Sequence, residues 1–385
     1  MLNRRTVAMS AVVLLALSAC AQDSSTSSGT GQSPADPTTA AAGEENGGGS
    51  EPTSTPTGPA TISLAFAGDV HFERQVAALL QDSDEVWAKR LPELRDADFS
   101  MVNLETAITE RGTAMSKPYT FRAPAKSLDV LKAAGVDAVS MANNHAADYG
   151  RVGVQDTLAA KEKNVLPIVG FGANAAEAYA PLTVDVKGVN VAVLAASQVW
   201  EETAANWSAG ADSPGIAVAL DRAKFKEAVA KAAAEHDLVV AQMHWGTEGT
   251  SCPNGDQAAT VRDLQAAGAD IVVGTHAHRP QASGWQGRTF VGYGTGNFIW
   301  YNTSANSRPS GVLTVTVDAN KARERGQATG EQRMTEQSLV TEYTWTPKYI
   351  STGGVPQDPT GSTTDRLESL NRQAIACADL AQSRP

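Results

Sequence analysis

The chain has 385 residues and a formal net charge of −11, and it carries no long basic block. That balance argues against nucleic acid as a main partner, because such binding is built on clustered lysine and arginine facing phosphate. Anionic ligands of other kinds are not excluded, since a bound metal ion dominates the charge of its own site.

Residues 1–20, MLNRRTVAMSAVVLLALSAC, pair Arg4 and Arg5 with the apolar run that follows. This is the pattern of an export signal, and the run is too short for an ordinary membrane span. It closes on Leu17-Ser18-Ala19-Cys20. Small residues before a cysteine at this place resemble a bacterial lipobox. The implied chemistry is a diacylglycerol on the Cys20 sulfur, cleavage before Cys20 and acylation of the new amino group. The alternative is an ordinary signal in which Cys20 is incidental, and both general and twin-arginine export stay open. Residues 21–60 are mostly Ser, Thr, Gly, Pro and Ala, a composition that builds no core and reads as a disordered tether. A lipidated cysteine followed by a tether implies a domain held off the outer face of the bacterial cytoplasmic membrane, and two or more acyl chains make such an anchor stable.

From Thr61 the pattern changes. Strand-like runs recur: TISLAFA, DFSMVNL, VDAVSM, VLPIVG, VNVAVLAAS, DLVVAQM, DIVVG and TFVGYG. Several are apolar almost throughout, as strands covered on both faces are. Helical patterns lie between them at 84–95, 125–134, 151–163, 221–235 and 256–267, with Gly135 and Gly268 just beyond two of these, where helix-ending glycines belong. The alternation predicts an α/β domain with central sheets. Past Gly296, VLTVTVD and SLVTEYTW read as strands that complete a sheet. The folded region is expected over 61–349, and 350–385 as a peripheral tail with one short helix near 364–376. After Cys20 only Cys252 and Cys377 remain. An even pair in an exported protein is expected to form a disulfide that pins the tail near the His-Trp-Gly loop.

Five of the six histidines fall in four short motifs, each closing a strand-like run: FAGDVHFE with Asp69 and His71, SMANNHAADYG with His145, QMHWGTE with His244, and VGTHAHRPQ with His276 and His278. Neutral imidazole is the commonest metal ligand, and carboxylate and amide oxygens complete hard divalent sites. Ligands of α/β sheets bind in the crevice at the carboxyl ends of the strands. One rim is therefore expected to gather Asp69, Glu105, Asn143, Asn144, His145, His244, His276 and His278. Scattered structural histidines are the alternative.

The segments GDV at 68–70, NLE at 103–105, KPYTFRAP at 117–124, ANNHAADYG at 142–150, HWGTE at 244–248, AGADIVVGTHAH at 267–278 and YGTGNF at 293–298 resemble the CapA family. This is the poly-γ-glutamate capsule biosynthesis family, related to calcineurin-like metallophosphoesterases. The resemblance runs over roughly residues 61–300 and implies a four-layer α/β/β/α sandwich. His-Ala-His stands at 276–278 where the family commonly has His-Pro-His, and His71 stands where it often has an apolar residue; Asp-x-His is the pattern of the phosphoesterases.

The resemblance implies two divalent ions, with Mn, Fe and Zn all open. Asp69, His71 and His278 would hold one; Asn144, His244 and His276 would hold the second, with Glu105 bridging in place of the usual Asp. His145 would be a free group that serves the substrate. Ions so placed would stabilise attacking and leaving oxygens. Arg122 either clamps a phosphate or carboxylate or forms a structural ion pair. Asn143 either joins the site or shapes its loop. Glu248 either orients a ligand histidine or lies on the surface. Trp245 is read as a wall, Gly294, Gly296 and Asn297 as backbone geometry near the site, and His236 as a surface residue near a helix end.

The expected function is that of a surface-anchored CapA-type lipoprotein in assembly or export of poly-γ-glutamate or a related capsule polymer. Its metal-dependent, phosphoesterase-like chemistry would act on a phosphorylated or polyanionic substrate. Its partners would be that substrate, the membrane through the N-terminal lipid, and capsule-synthesis membrane proteins, with no nucleic acid. A general exported phosphoesterase and a non-catalytic polymer-binding lipoprotein are the alternatives.

Overall fold

The computed structural model describes residues 58–328 and 337–385. The expected export signal, Cys20 and the expected tether up to residue 57 lie outside the described residues. The first strand, β1 (Thr61–Val70), is buried throughout from Leu64. Its alternate side chains serve two cores: Ile62, Leu64 and Phe66 point one way, and Ala65, Ala67 and Val70 the other. A strand covered on both faces needs apolar residues at nearly every position, which is why TISLAFA lacks polar alternation.

β2 (Phe99–Leu104), β3 (Ala138–Ser140) and β4 (Ile168–Val169) extend β1 in parallel to form half of a first sheet. The chain then builds a second sheet from β5 (Leu182–Val186), β6 (Val189–Ser197), β7 (Leu238–His244), β8 (Ile271–Thr275), β9 (Ser283–Gln286) and β10 (Thr289–Gly292), in the spatial order β9-β10-β8-β7-β6-β5. β11 (Asn297–Ile299), β12 (Pro309–Asp318), β13 (Val340–Ile350) and β14 (Pro356–Gln357) return to the first sheet. β12 pairs antiparallel with β1, and β13 and β14 follow it outward, while the short β11 runs parallel to the end of β1.

The inner faces of the two sheets meet in one core that includes Phe66, Met101, Val193, Val240, Val273 and Leu313. On the far side of the first sheet pack α1 (Asp84–Arg90), α2 (Lys126–Ala133) and α3 (Gly150–Glu162), through Trp87, Leu128, Leu131 and Val154. On the far side of the second pack α4 (Ala223–Glu235) and α5 (Gly255–Ala267), through Phe225, Val229, Val261 and Leu264. The result is the four-layer α/β/β/α arrangement. Burial of each such side chain stabilises the fold by about 1.5–3 kcal/mol.

Two helical expectations are modified. The pattern at 84–95 breaks at Leu91 (φ −128°, ψ 64°), and a separate turn begins at Pro92; the ring of a proline disfavours helical geometry in the residue before it. α6 (Ala319–Gln327), absent from the sequence reading, lays Ala319 and Ala322 over the end of the inter-sheet core. No helix among the described residues is long and apolar enough to cross a membrane.

The boundary expected at 349–350 falls at the end of β13, and the segment beyond it is stitched to both sheets rather than peripheral. β14 pairs with β13 on the first sheet. α7 (Ser362–Ala376) then leads to Cys377, which is bonded to Cys252 across a separation of 125 residues. Finally the backbone of Ala381 exchanges hydrogen bonds of 2.8 Å with Trp285 on β9. A bridge closing so long a loop stabilises by about 4–5 kcal/mol in the chain-entropy account. Replacing Cys252 and Cys377 together by serine is therefore expected to lower unfolding free energy by up to about that amount, as read from denaturant midpoints. An unchanged midpoint would show that the paired tail carries the constraint without the bond.

Candidate metal centre

The carboxyl ends of five strands from both sheets converge. Asp69 closes β1, Glu105 follows β2, Asn143 to His145 follow β3, His244 ends β7 and His276 follows β8. Backbone contacts fix this convergence: Asp69 N donates to Gly296 O at 2.9 Å, and Glu105 N to Val70 O at 2.8 Å. Residue 68 is glycine because a Cβ there would lie 1.7 Å from Gly296 O. His276 and His278 have φ of 84° and 54°, left-handed geometry that costs a non-glycine residue about 1–3 kcal/mol and persists only where its surroundings impose it. Here Asp69 Oδ2 accepts from His276 N at 3.3 Å, and Ala277 O accepts from Gly249 N at 2.8 Å.

At the centre stands the fully buried Glu105. Its Oε1 has no hydrogen-bond partner. The Nε2 atoms of His145, His244 and His278 lie 3.7, 3.8 and 3.9 Å from it. Asp69 Oδ2 is 3.1 Å from His278 Nδ1, and Asp69 Oδ1 accepts from Asn103 Nδ2 at 2.8 Å. Asn144 Oδ1 is 2.8 Å from His244 Nε2, whose other ring nitrogen rests 3.0 Å from Thr275 Oγ1. Three sets have ligand atoms within 4.8 Å of one another: Asp69, Glu105 and His278; Glu105, His244 and His276; and Glu248, His276 and His278. Glu105 belongs to the first two.

This donor set fits divalent cations. A buried carboxylate oxygen and the buried, unpartnered Nδ1 of His276 are costly unless compensated, and a cation compensates both. The electrostatics agree. Burial, reinforced by Asp69, pushes the Glu105 carboxyl well above its ordinary range. Burial, reinforced by neighbouring histidines, holds His244 well below the usual imidazole value and His276 at about 3. Burial also acts to lower His278, but the Asp69 carboxylate outweighs it and holds that ring above its ordinary value. Neutral imidazole is the ligating form.

Asp69, Glu105, Asn144, His244, His276 and His278 are thus brought together. His71 is not among the grouped ligand atoms, although it neighbours His145 and His278. Its Nδ1 accepts from Glu73 N at 3.1 Å and its Nε2 lies 3.4 Å from Tyr301 N, while its ring packs on Phe121 and Trp300 at 4.7 and 4.2 Å. The ring is fully buried among the cleft's aromatic residues. Arg122 also stands apart: its side chain is exposed and stacks over Tyr149 at 4.7 Å.

His145 faces the opening. Its Nδ1 lies 2.6 Å from Asp148 Oδ2, and its ring stacks on Phe121 at 4.1 Å. Burial lowers its pKa and Asp148 opposes that shift. Lys117, nearly enclosed, sits 2.9 Å from Asp148 Oδ1 and 3.3 Å from Glu201 Oε2, and donates to Asn144 O at 2.7 Å. Glu201 in turn accepts from Asn144 Nδ2 at 3.1 Å. The sequence reading missed Asp148, Lys117 and Glu201. The i, i+3 spacing of His145 and Asp148 was a usable signal; Glu201 lies in a loop without one.

The centre opens into a cleft of about 380 Å³. His145, His278 and Glu248 line its inner end; Phe121, Trp300 and Tyr301 form aromatic walls. Its arginine is Arg279, another residue the sequence reading missed. The remaining candidates are structural. Asn143 ties His145 N, Asn103 and Leu104 O together. Trp245 is fully buried and donates to Tyr293 O. Asn297 Oδ1 supports His278 Nδ1 at 2.9 Å. His236 is buried rather than on the surface, with Nε2 2.8 Å from Thr183 Oγ1.

Comparison with known proteins adds the following. A family model described as "Bacterial capsule synthesis protein PGA_cap" matches residues 63–302. The PGA biosynthesis protein CapA of Bacillus subtilis (strain 168) is 30% identical over 264 residues, covering 67% of this chain and 68% of that protein. The capsule biosynthesis protein CapA of Bacillus anthracis is 28% identical over 262 residues, covering 66% and 63%. Among solved structures, a hypothetical protein from Thermus thermophilus aligns with a TM-score of 0.42 and 17% identity over 67% of this chain and 95% of that one.

Two outcomes follow from the geometry. Gly68→Ala is expected to displace Asp69 and abolish divalent-ion uptake, measured by elemental analysis of the purified variant. The pH dependence of stability in chelator tests His276. Its folded value of about 3 lies below the ordinary 6.5, so its contribution is intact above pH 6.5 and is lost as pH falls toward 3. By pH 5 the loss is about 2 kcal/mol. His276→Gln should lose less stability than the parent between pH 7 and 5 by about that amount, as read from urea midpoints.

Proposed function

This chain belongs to the bacterial capsule synthesis protein family, PGA_cap, and from that premise we propose that it is a surface-anchored protein of capsule polymer assembly or export. In this proposal its cleft acts on a polyanionic or phosphorylated substrate with the help of two divalent ions. The carrying observation is the orphaned Oε1 of Glu105 ringed by three imidazoles at the inner end of the cleft. A pure polymer binder has no need to bury such a group.

Asp69, Glu105 and His278 would hold one ion, and Glu105, His244 and His276 the other, with the Asn144 carbonyl beside His244. When bound, the ions would supply Lewis acidity toward an oxyanion of the substrate. The chain's own groups do the rest. Asp148 fixes the His145 ring so that Nε2 points into the site, where it can hold or deliver a proton at a leaving oxygen. Lys117 keeps Asp148 in place from the far side. Phe121 and Trp300 exclude water from one flank of the site.

Anchoring rests on Leu17-Ser18-Ala19-Cys20 after an apolar run. The proposal therefore places the folded domain outside the cytoplasmic membrane on a lipid tether, beside the membrane proteins that make or export the polymer. The names of the Bacillus relatives, which refer to PGA and capsule biosynthesis, support a glutamate polymer as the substrate.

Elemental analysis of the purified protein is expected to find two divalent ions per chain, and His244→Ala mainly one. His145→Ala should keep both ions yet lose about 10²–10⁴-fold in turnover of any substrate found, or most polymer output in cells. A protein that takes up no metal under any loading condition would refute the metal centre. Loss of the ions in His145→Ala would make His145 a ligand.

A further inference from the structure

The cleft does not end at the metal centre. A second hollow of about 500 Å³ shares Tyr119, Tyr301 and Asn302 with it, so the two form one elongated groove. Each compartment contributes one arginine, Arg279 in the first and Arg74 in the second.

Both guanidinium groups lack a carboxylate. Among the described residues no acidic side chain lies within ion-pair distance of either, although the protein carries 42 acidic against 31 basic residues. Arg279 is half-buried. Its Nε donates to Ser251 Oγ at 3.1 Å and Nη1 reaches Asn306 O at 3.5 Å. The backbone side of the fork is thus held while the rest of it stays available to a ligand. The carboxylate on the cleft lining, Glu248, is grouped with His276 and His278 and so belongs to the inner end. Arg74 is exposed, has a left-handed backbone (φ 55°), and lays its guanidinium over the Tyr301 ring at 4.2 Å. Gln75 fixes the same tyrosine by donating to Tyr301 O at 2.5 Å. Between the arginines the floor is aromatic, and Tyr119 is 59% exposed.

We propose that this groove binds an extended polycarboxylate chain at two guanidinium subsites. Arg279 takes a carboxylate beside the metal centre, Arg74 takes one further along, and the methylenes between them lie on Tyr119 and Tyr301. This rests on the polymer reading of the site and adds to it the feature that selects a chain over a monomer. A planar guanidinium matches a carboxylate bidentately, and aromatic faces accept aliphatic segments. A lone phosphomonoester would use one subsite and leave the other idle.

The test is fluorescence anisotropy with the full-length protein and a labelled γ-linked glutamate octamer, with monomeric glutamate and inorganic phosphate as competitors. The octamer is expected to bind the parent about tenfold or more tighter than the monomer. Arg279→Ala should weaken octamer binding about ten- to one-hundred-fold, as loss of a charged bidentate contact does, and Arg279→Lys should not restore it. Arg74→Ala should weaken the octamer about two- to fivefold, in the range of exposed ion pairs, and leave the monomer unchanged. Circular dichroism confirms that each variant is folded, and the lysine variant serves if the alanine one is not. Octamer binding unaffected by either arginine variant would overturn the groove while leaving the polymer reading standing. A parent that binds phosphate but no octamer would overturn that reading and the groove with it.

Discussion

A carboxylate with one oxygen unpartnered, sealed between two β-sheets, is the constraint around which this molecule is arranged. Glu105 cannot stay charged there without compensation, and the three imidazoles within 3.9 Å of it are themselves held near neutrality by burial or bound to Asp69. Each group alone is unfavourable in a low-dielectric interior. Together they form a donor set whose unfavourable terms a divalent cation reverses at once.

The fold explains how such a set is assembled. Strands of the first sheet deliver Asp69, Glu105 and the Asn144–His145 pair, and strands of the second deliver His244 and His276. Neither sheet holds a complete ligand set, so the centre exists only while the inter-sheet core of Phe66, Met101, Val240 and Leu313 holds both in register. The close approach of residues 68 and 296 and the left-handed backbone at His276 and His278 are the local adjustments that this convergence demands.

Much of this was legible in the sequence, because apolar runs that end in Asp, Asn and His reveal both the strand and its carboxyl end. The alternation of such strands with helices announced an α/β domain with central sheets, and the four layers were what the family resemblance implied. What escaped was whatever depends on partners from distant segments. His71 has the spacing of a ligand, but Phe121, Trp300 and Tyr301 close around it. Arg122 and Arg279 both lie within a motif, but the structure leaves the first exposed over Tyr149 and lines the cleft with the second. His236 follows a helix, as a surface residue would, yet Thr183 covers it from β5. The tail beyond β13 announced its helix near 364–376, but nothing in its sequence announced that it pairs with β13 and with Trp285.

The disulfide stands one residue from the serine that steadies Arg279. Cys252 follows Ser251, and Gln281 holds the same turn by donating to the carbonyls of Thr250 and Cys252. With the thiols apart, that amide is left to fix the turn without the link to α7, and the guanidinium loses the rigidity of its mount. In the proposed groove, a chain whose cysteines stayed reduced would keep its histidines in place and hold the Arg279 subsite less firmly.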